Sequence, residues 1–279
     1  MLEVDPSARR EDRRLNNREF PLAENCRYRI ALGVEYNGSS MHGWQRQQNS
    51  EVVTVQGCLE RAVGIVANTP VKLYCAGRTD AGVHATGQVA HFDVPLDRGV
   101  KAWVSGVNSN LPASVRVKWA KTVDTTFHAR HSATYRRYEY HILNTPVSSA
   151  IRAGLVTWHR YPLDEARMNF EAQSLLGENN FSSFQAAACQ SRTPMRYMEK
   201  ISVRRDGDEL CISVQANAFL LHMVRNITGA LLEVGAGRQA DGYMGRLLAL
   251  QDREQAPPTA KPDGLYLVEV GYPDGLLGE

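Results

Sequence analysis

The same order of hydrophobic patterns runs through this 279-residue chain twice, and few folds are compatible with that repetition. Alternating apolar residues indicate strands, and apolar residues three or four positions apart indicate helices. In the first half these patterns predict a strand at 28–36, a helix that begins at Thr54, strands at 71–76 and 88–94, a helix at about 97–108 and a strand at 115–119. The order is β-α-β-β-α-β, the ferredoxin-like unit.

The second half repeats this order without obvious sequence identity to the first. Its patterns predict a strand at 136–142, a helix capped by Asp164, a hairpin around Asp206 and Gly207, a helix at about 219–234 and a last strand at 265–272. We therefore predict an α+β fold made of two tandem ferredoxin-like halves. In each half both helices should lie on one side of the sheet, which leaves the other faces free to form a common surface. An active-site cleft is expected between the halves.

The predicted boundaries are a flexible N-terminal arm at 1–25, an N-terminal ferredoxin-like domain at 26–130 and a C-terminal ferredoxin-like domain at 131–273. The arm mixes arginines with acidic residues and has no apolar period, which is typical of a solvated tail. The N-terminal domain carries a glycine-rich loop at 77–87, which we expect to be the catalytic loop.

Composition narrows the function classes without choosing one. The net charge is +2, no apolar run approaches the ~20 residues of a membrane helix, and no secretory signal is visible, so we expect a cytoplasmic protein. The five cysteines form no CxxC pair and the histidines form no ligand pair, which predicts reduced thiols and no metal site. No phosphate-binding loop or dinucleotide fingerprint is present, so no cofactor is predicted.

The loop at 77–84 has the sequence GRTDAGVH and lies between two predicted strands. Gly77 and Gly82 allow another backbone or a ligand to approach closely. One interpretation is a tight turn, because Asp80 is a common turn residue. The other is a carboxylate held on a rigid loop beside Arg78, whose charge favours the ionised form. Such a carboxylate can serve as a nucleophile or as a base.

Arginines and aromatic residues occur together in two further segments. Arg130, Arg136 and Arg137 lie beside Tyr138 at the junction of the halves, and Arg46 lies in a polar loop that also contains Trp44. Cations among aromatic rings suit phosphates and unstacked bases. A solvated strand edge at the junction, and a core position for Trp44, are the alternatives.

Arg225 lies on the predicted helix at 219–234, on a face that it shares with His222 and that differs from the apolar stripe. Ordinary solvent exposure explains such an arginine. A second possibility is that it points across the cleft to Asp80, which sequence spacing alone does not decide.

Several motifs together resemble those of the TruA family of tRNA pseudouridine synthases, in family order across residues 28–272. They are GRTDAGVHA at 77–85, YNGS at 36–39, GWQRQ at 43–47, TVQ at 54–56, RRYEY at 136–140, FLLHMVRNI at 219–227 and GLYL at 264–267. The resemblance implies a homodimeric enzyme that uses no cofactor or metal. It would isomerise uridine to pseudouridine at positions 38–40 of the tRNA anticodon stem-loop.

The resemblance also implies roles for individual residues. Asp80 would be the nucleophile, and Arg225 would pair with it. Tyr138 would stack on the target base and serve in proton removal from C5, Arg78 would open the site or grip RNA, and Leu265 would line the pocket. Covalent addition by Asp80 and assisted elimination both fit a carboxylate at this position.

Two alternatives remain open. One, of another class of function, is a tRNA-binding or folding protein in which catalysis is incidental, and the other is a related synthase that acts on other uridines or other RNAs. A protein of the first kind would bind RNA normally after Asp80→Ala.

Overall fold

The computed structural model describes residues 18–47 and 52–277. The strands are β1 (Tyr28–Tyr36), β2 (Tyr74–Cys75), β3 (His84–Val94), β4 (Val115–Val123), β5 (Tyr135–Asn144), β6 (Thr157–His159), β7 (Gly177–Asn180), β8 (Met195–Asp206), β9 (Glu209–Ala216) and β10 (Leu265–Gly271). The helices are α1 (Val55–Ala67), α2 (Glu165–Ala172), α3 (Met223–Gly235) and α4 (Tyr243–Leu250). Short helical turns lie at Ala102–Gly106, which is π-helical, and at Gln173–Leu175, Ser182–Phe184 and Arg253–Gln255, which are 3₁₀.

All ten strands belong to one sheet with the order β4-β1-β3-β10-β5-β9-β8-β7, and β2 and β6 pair with β3 and β5 at its side. Within each half the strands follow the same arrangement: β4-β1-β3-β2 in the first and β10-β5-β9-β8 in the second. This repeated order confirms the predicted pair of ferredoxin-like halves in an α+β fold.

The two halves join along one edge of β3. Residues His91 and Ala90 of that edge pair with the short strand β2, while His84 and Ala85 pair in parallel with β10. Because β2 is only two residues long, it leaves the start of β3 open for the second half. The loop between β2 and β3 therefore lies where the two halves meet.

The buried faces of α1, α2, α3 and α4 all contact one continuous apolar core on one side of the sheet. A smaller cluster, built around Ala31, Val89 and Phe127, covers part of the opposite face. Tyr138 and Tyr140 of β5 point into the helical side.

Local capping signals identified in the sequence are present where they were predicted. The Thr54 hydroxyl accepts a hydrogen bond from Gly57 N at 3.3 Å at the start of α1, and Asp164 accepts from Arg167 N at 2.9 Å at the start of α2. The hairpin of β8 and β9 turns at Asp206 and Gly207, as predicted.

Several predicted boundaries were wrong. β3 begins at His84 and not at residue 88, and the strand predicted at 71–76 shrinks to β2. The helix at about 97–108 contains the π-helical turn, and α3 begins at Met223 because His222, at its N-terminus, adopts a left-handed φ of 61°.

Two elements were missed in the sequence. β7 has the sequence GENN, which lacks β-forming residues, and it exists because it pairs with β8. α4 is eight residues long and buries Met244 and Leu247.

The predicted N-terminal arm extends partly outside the described residues, which begin at Arg18. Within the described part, Phe20 N donates to Thr125 O at 2.9 Å, and Arg29 donates to Phe20 O at 3.0 Å and to Pro21 O at 3.1 Å.

No helix in residues 18–47 and 52–277 is long and apolar enough to cross a membrane.

Candidate active site

Asp80 lies on the loop that leads from β2 to β3, and several hydrogen bonds hold that loop. Trp44 N donates to Thr79 O at 3.0 Å, and the Thr79 hydroxyl lies 2.7 Å from the Tyr36 hydroxyl in the buried interior. Gln88 Nε2 donates to Gly77 O at 2.7 Å. These bonds fix the backbone on both sides of Asp80, so its carboxylate is presented by an ordered turn.

Close backbone approach requires glycine at position 43. Gly43 has a φ of +83°, and a Cβ there would lie 2.8 Å from Thr79 O. Both facts exclude a larger side chain without movement of the loop. Trp44, the next residue, is buried in the core, as the second of its two interpretations predicts.

The Asp80 carboxylate receives two partners from the C-terminal half. Arg225, in the first turn of α3, places Nη1 3.2 Å from Asp80 Oδ2, and His222 places Nε2 3.3 Å from the same oxygen. Arg225 Nε also donates to Ala260 O at 2.8 Å, so the guanidinium connects the carboxylate to the linker before β10. The exposed fractions are 14% for Arg225, 27% for Asp80 and 33% for His222, so the carboxylate remains open to the cleft.

His222 reaches Asp80 because its backbone is left-handed, with a φ of 61°. This conformation costs a non-glycine residue roughly 1 kcal/mol, and such strain is often found at functional positions. The sequence showed His222 beside Arg225 but gave no sign that it contacts Asp80, because the contact depends on this backbone conformation.

Tyr138 forms part of the floor of the cleft. It is 7% exposed, and its ring meets Phe219 edge to face at a centroid distance of 4.9 Å. A Cβ on Gly77 would lie 3.3 Å from the Tyr138 hydroxyl, so the phenol abuts the catalytic loop. Burial raises the pKa of the phenol well above its usual value; the charge of Asp80 also raises it, and that of Arg136 opposes the shift.

A cleft of about 1060 Å³ connects these groups, and residues of both halves line it. Leu265, the first residue of β10, lines it from the C-terminal half and is 5% exposed. Arg78 lines it from the loop and is exposed. Within residues 18–47 and 52–277 the Arg78 guanidinium makes no hydrogen bond or ion pair, so it is available to a ligand.

Sequence comparison supplies the family. The family model described as tRNA pseudouridine synthase matches residues 33–132 and 172–273. The chain belongs to this family. Its members include tRNA pseudouridine synthase A of Photorhabdus laumondii, which is 56% identical over 245 residues that cover 88% of this chain and 92% of the relative. The proteins of the same name from Yersinia pestis and Shewanella loihica are 56% and 55% identical over 246 residues, covering 88% of this chain and 92% and 94% of the relatives.

In this tRNA pseudouridine synthase family member, the first matched segment contains Asp80 and Arg78, and the second contains Arg225 and Leu265. Tyr138 lies between the two segments. Residues matched by the family model therefore lie in the same cleft as the side chains that surround Asp80.

Of the four predicted RNA-binding arginines, Arg130 and Arg136 line the cleft, whereas Arg46 and Arg137 do not. Arg130 is exposed and lines the cleft. Arg46 is 70% exposed, lies 3.6 Å from Glu60, and does not line the cleft itself. Arg137 points to the sheet face opposite Tyr138, where it forms a close ion pair with Glu269.

Arg136 is 8% exposed and binds backbone carbonyls. Its guanidinium donates to Ala76 O, Ala133 O, Asn217 O and Arg130 O at distances between 2.6 and 3.3 Å. It lies along the cleft wall, where it ties the start of the catalytic loop to the segment that carries Arg130.

In the described part of the chain, one group of side chains has the composition of a metal site. Ligand atoms of Glu139, His141 and Cys211 lie within 4.8 Å of one another on the face opposite Tyr138. His141 Nδ1 already lies 2.7 Å from Glu209, which in turn pairs with Arg152. We assign no function to this group.

Proposed function

We propose that this chain isomerises uridine to pseudouridine at positions 38–40 of the tRNA anticodon stem-loop, with Asp80 as the nucleophile. The observation that carries the proposal is the Asp80 carboxylate, held by Arg225 and His222 in a cleft between the halves of a tRNA pseudouridine synthase family member. The relatives' shared name, tRNA pseudouridine synthase A, supports the choice of tRNA.

The reaction breaks the C1′–N1 bond, rotates the uracil, forms a C1′–C5 bond, moves a proton off C5 and returns one to N1. The target base must first leave the helical stack so that it can enter the cleft. Asp80 either attacks C1′ as the base departs or assists elimination from the sugar, and both routes need an ionised and oriented carboxylate. The atoms of substrate and product are the same, so no co-reactant is consumed.

Arg225 has two tasks in this proposal. Its charge attracts the carboxylate, and its second bond, to Ala260 O, fixes the direction from which it contacts Asp80. His222 contacts the same Oδ2 and leaves the other carboxylate oxygen for the sugar.

Tyr138 is suited to stack on the detached uracil and to relay the C5 proton. Because burial raises the pKa of its phenol, the neutral form dominates at pH 7, and Tyr138 does not act as a standing phenolate base. It must pass its own proton on as it receives one. Leu265 lines the pocket beside it, and Arg78 grips the RNA or holds the site open.

The remaining expectations are part of this proposal. They are a division into domains at 26–130 and 131–273 with an arm at 1–25, contacts to the RNA through Arg46, Arg130, Arg136 and Arg137, a homodimer, and a cytoplasmic location. Light scattering on the purified chain tests the dimer directly.

Pseudouridine mapping on unmodified tRNA transcripts tests the function, with wild type and Asp80→Ala side by side. We expect modification at positions 38–40 by wild type and none by the variant, with RNA binding retained. Modification elsewhere would show a synthase with another target. Tight RNA binding by wild type without any pseudouridine would show a binding protein.

A further inference from the structure

A cluster of five aromatic rings lies at the margin of the cleft, apart from Asp80. It consists of Phe20, Tyr74, His91, His128 and His131, and we call it the ring cluster. Neighbouring ring centroids are 4.4 to 5.9 Å apart. Of its members, Tyr74, His128 and His131 line the same cleft as Asp80.

The inner rings are fixed and neutral. Arg130 N and His131 N both donate to His128 Nδ1, at 3.1 and 3.3 Å, and Ala129 N donates to His91 Nδ1 at 3.1 Å. Burial lowers the pKa of His91 to about 2 and that of His128 to about 4, so both rings are uncharged at pH 7. They form a rigid base for the two exposed rings.

The two exposed rings, Tyr74 and His131, are held by contacts with neighbouring rings. Tyr74 is 41% exposed, and its hydroxyl makes no hydrogen bond within residues 18–47 and 52–277. His131 is exposed, and its side chain likewise makes no hydrogen bond there. Phe20 lies nearly parallel to His131, at an interplanar angle of 15°, and supports it from one side.

Three cations lie on or beside the ring cluster. Arg18 is positioned over Phe20 at 5.1 Å, Lys72 is positioned over Tyr74 at 5.2 Å, and Arg130 is exposed next to His131. Aromatic faces combined with cations are the arrangement that binds unpaired nucleotides, by stacking on bases and pairing with phosphates.

We infer that the ring cluster is a second nucleotide subsite, in which Tyr74 and His131 stack on an unpaired base next to the target uridine, while Arg130 and Lys72 contact its phosphates. This inference rests on the proposed function for its RNA. Tyr74, His128 and His131 line the same cleft as Asp80. In the described residues the ion-pair partners of the Asp80 carboxylate are Arg225 and His222, and no ring of the cluster contacts it. The cluster therefore suits a neighbouring nucleotide and not the isomerised one.

The test measures tRNA affinity in an Asp80→Asn background, where the RNA is not converted. Tyr74→Ala and His131→Ala should each raise Kd on the order of tenfold, because a base–aromatic stack contributes about that much. His159→Ala and Tyr161→Ala are matched controls, since these two rings also contact each other but do not line the cleft. The controls should leave Kd unchanged.

Abasic nucleotides on either side of the target uridine locate the stack. At one position, removal of the base should weaken binding to the protein with intact rings, and it should have no further effect on the Tyr74→Ala and His131→Ala proteins. The ring variants should keep the salt dependence of binding, whereas Arg130→Ala should reduce the slope by about one.

Unchanged affinity in the ring variants would overturn the inference, and so would an equal loss on every abasic RNA. Failure of the proposed function is a separate result. If wild type forms no pseudouridine but binds tRNA in this ring-dependent way, the subsite stands and the catalytic assignment falls.

Discussion

Removal of the Arg225 guanidinium should lower activity while the protein remains folded. We choose Arg225→Met, which keeps an apolar stem of similar length. It deletes the 3.2 Å contact to Asp80 Oδ2 and the 2.8 Å bond to Ala260 O. His222 remains at 3.3 Å from Asp80, so the carboxylate keeps one partner.

The magnitude follows from distance and exposure. Two unit charges 3.2 Å apart attract by about 5 kcal/mol at an effective dielectric constant near 20. Asp80 is 27% exposed, so water replaces part of this attraction, and the net value of a charged hydrogen bond is about 1.5–3 kcal/mol. If that energy holds the carboxylate in its reactive orientation, kcat/KM should fall roughly 10- to 150-fold.

Single-turnover pseudouridine formation with excess enzyme measures this loss, and thermal unfolding monitors the fold. Arg238→Met is the matched control, because Arg238 pairs with Glu233 near the other end of α3, at 2.7 Å, and does not line the cleft. Arg225→Lys should recover part of the activity, since one ammonium keeps the charge but not the fork geometry. Arg225→Met with kcat/KM within threefold of wild type would refute the reasoning, as would an equal loss in Arg238→Met.

Three further changes test the support of Asp80. His222→Asn removes the imidazole but keeps a residue that tolerates the left-handed φ, so kcat/KM should fall about 3- to 10-fold at unchanged Tm. Unaltered single-turnover kinetics would count against a role for His222. Gly43→Ala should lower Tm by several degrees and reduce activity, because its Cβ would meet Thr79 O. Gly99→Ala is the control: its φ is similar, at +79°, but nothing lies within 4 Å of the added Cβ, so activity should be intact. Equal activity losses would contradict the steric argument. Tyr36→Phe deletes the buried 2.7 Å bond to Thr79 and should cost about 1 kcal/mol in the free energy of unfolding, measured by denaturant titration, and no loss of stability would show that the bond is unimportant.

Caps and turn residues predicted the elements whose ends depend only on residues nearby in the sequence. Thr54 and Asp164 cap their helices through their own side chains, and the turn at Gly207 needs only the φ of +56° that glycine tolerates. Such features depend on residues within one turn of the chain. The repeated order of strands and helices could be predicted for the same reason.

Elements that exist through tertiary pairing could not be predicted in this way. β7 forms on the edge of β8, and the first residues of β3 become a strand because β10 and β1 lie beside them. The segment GRTDAGVHATG contains three glycines and an aspartate, which are turn residues, so propensity alone places the strand start too late.

The site residues divide in the same way, into those with a local sequence signal and those whose contacts depend on the tertiary fold. The resemblance to a known family indicated Asp80 and Arg225, but their separation of 145 residues carries no local signal of contact. Strand periodicity, by contrast, could have separated Arg136 from Arg137, because adjacent residues on a strand point to opposite faces. One lies along the cleft wall, and the other pairs with Glu269 on the far side.

The geometry of the join explains why the catalytic groups come from both halves. β10 reaches β3 at only His84 and Ala85, directly after the loop that presents Asp80, and Leu265 begins the same strand one residue before that pairing. The linker before β10 passes Ala260, whose carbonyl accepts from Arg225. The parallel pairing that joins the halves thus also brings Arg225 and Leu265 to the loop. It follows that changes which loosen this short pairing should misplace Asp80 relative to Arg225 before they unfold either half.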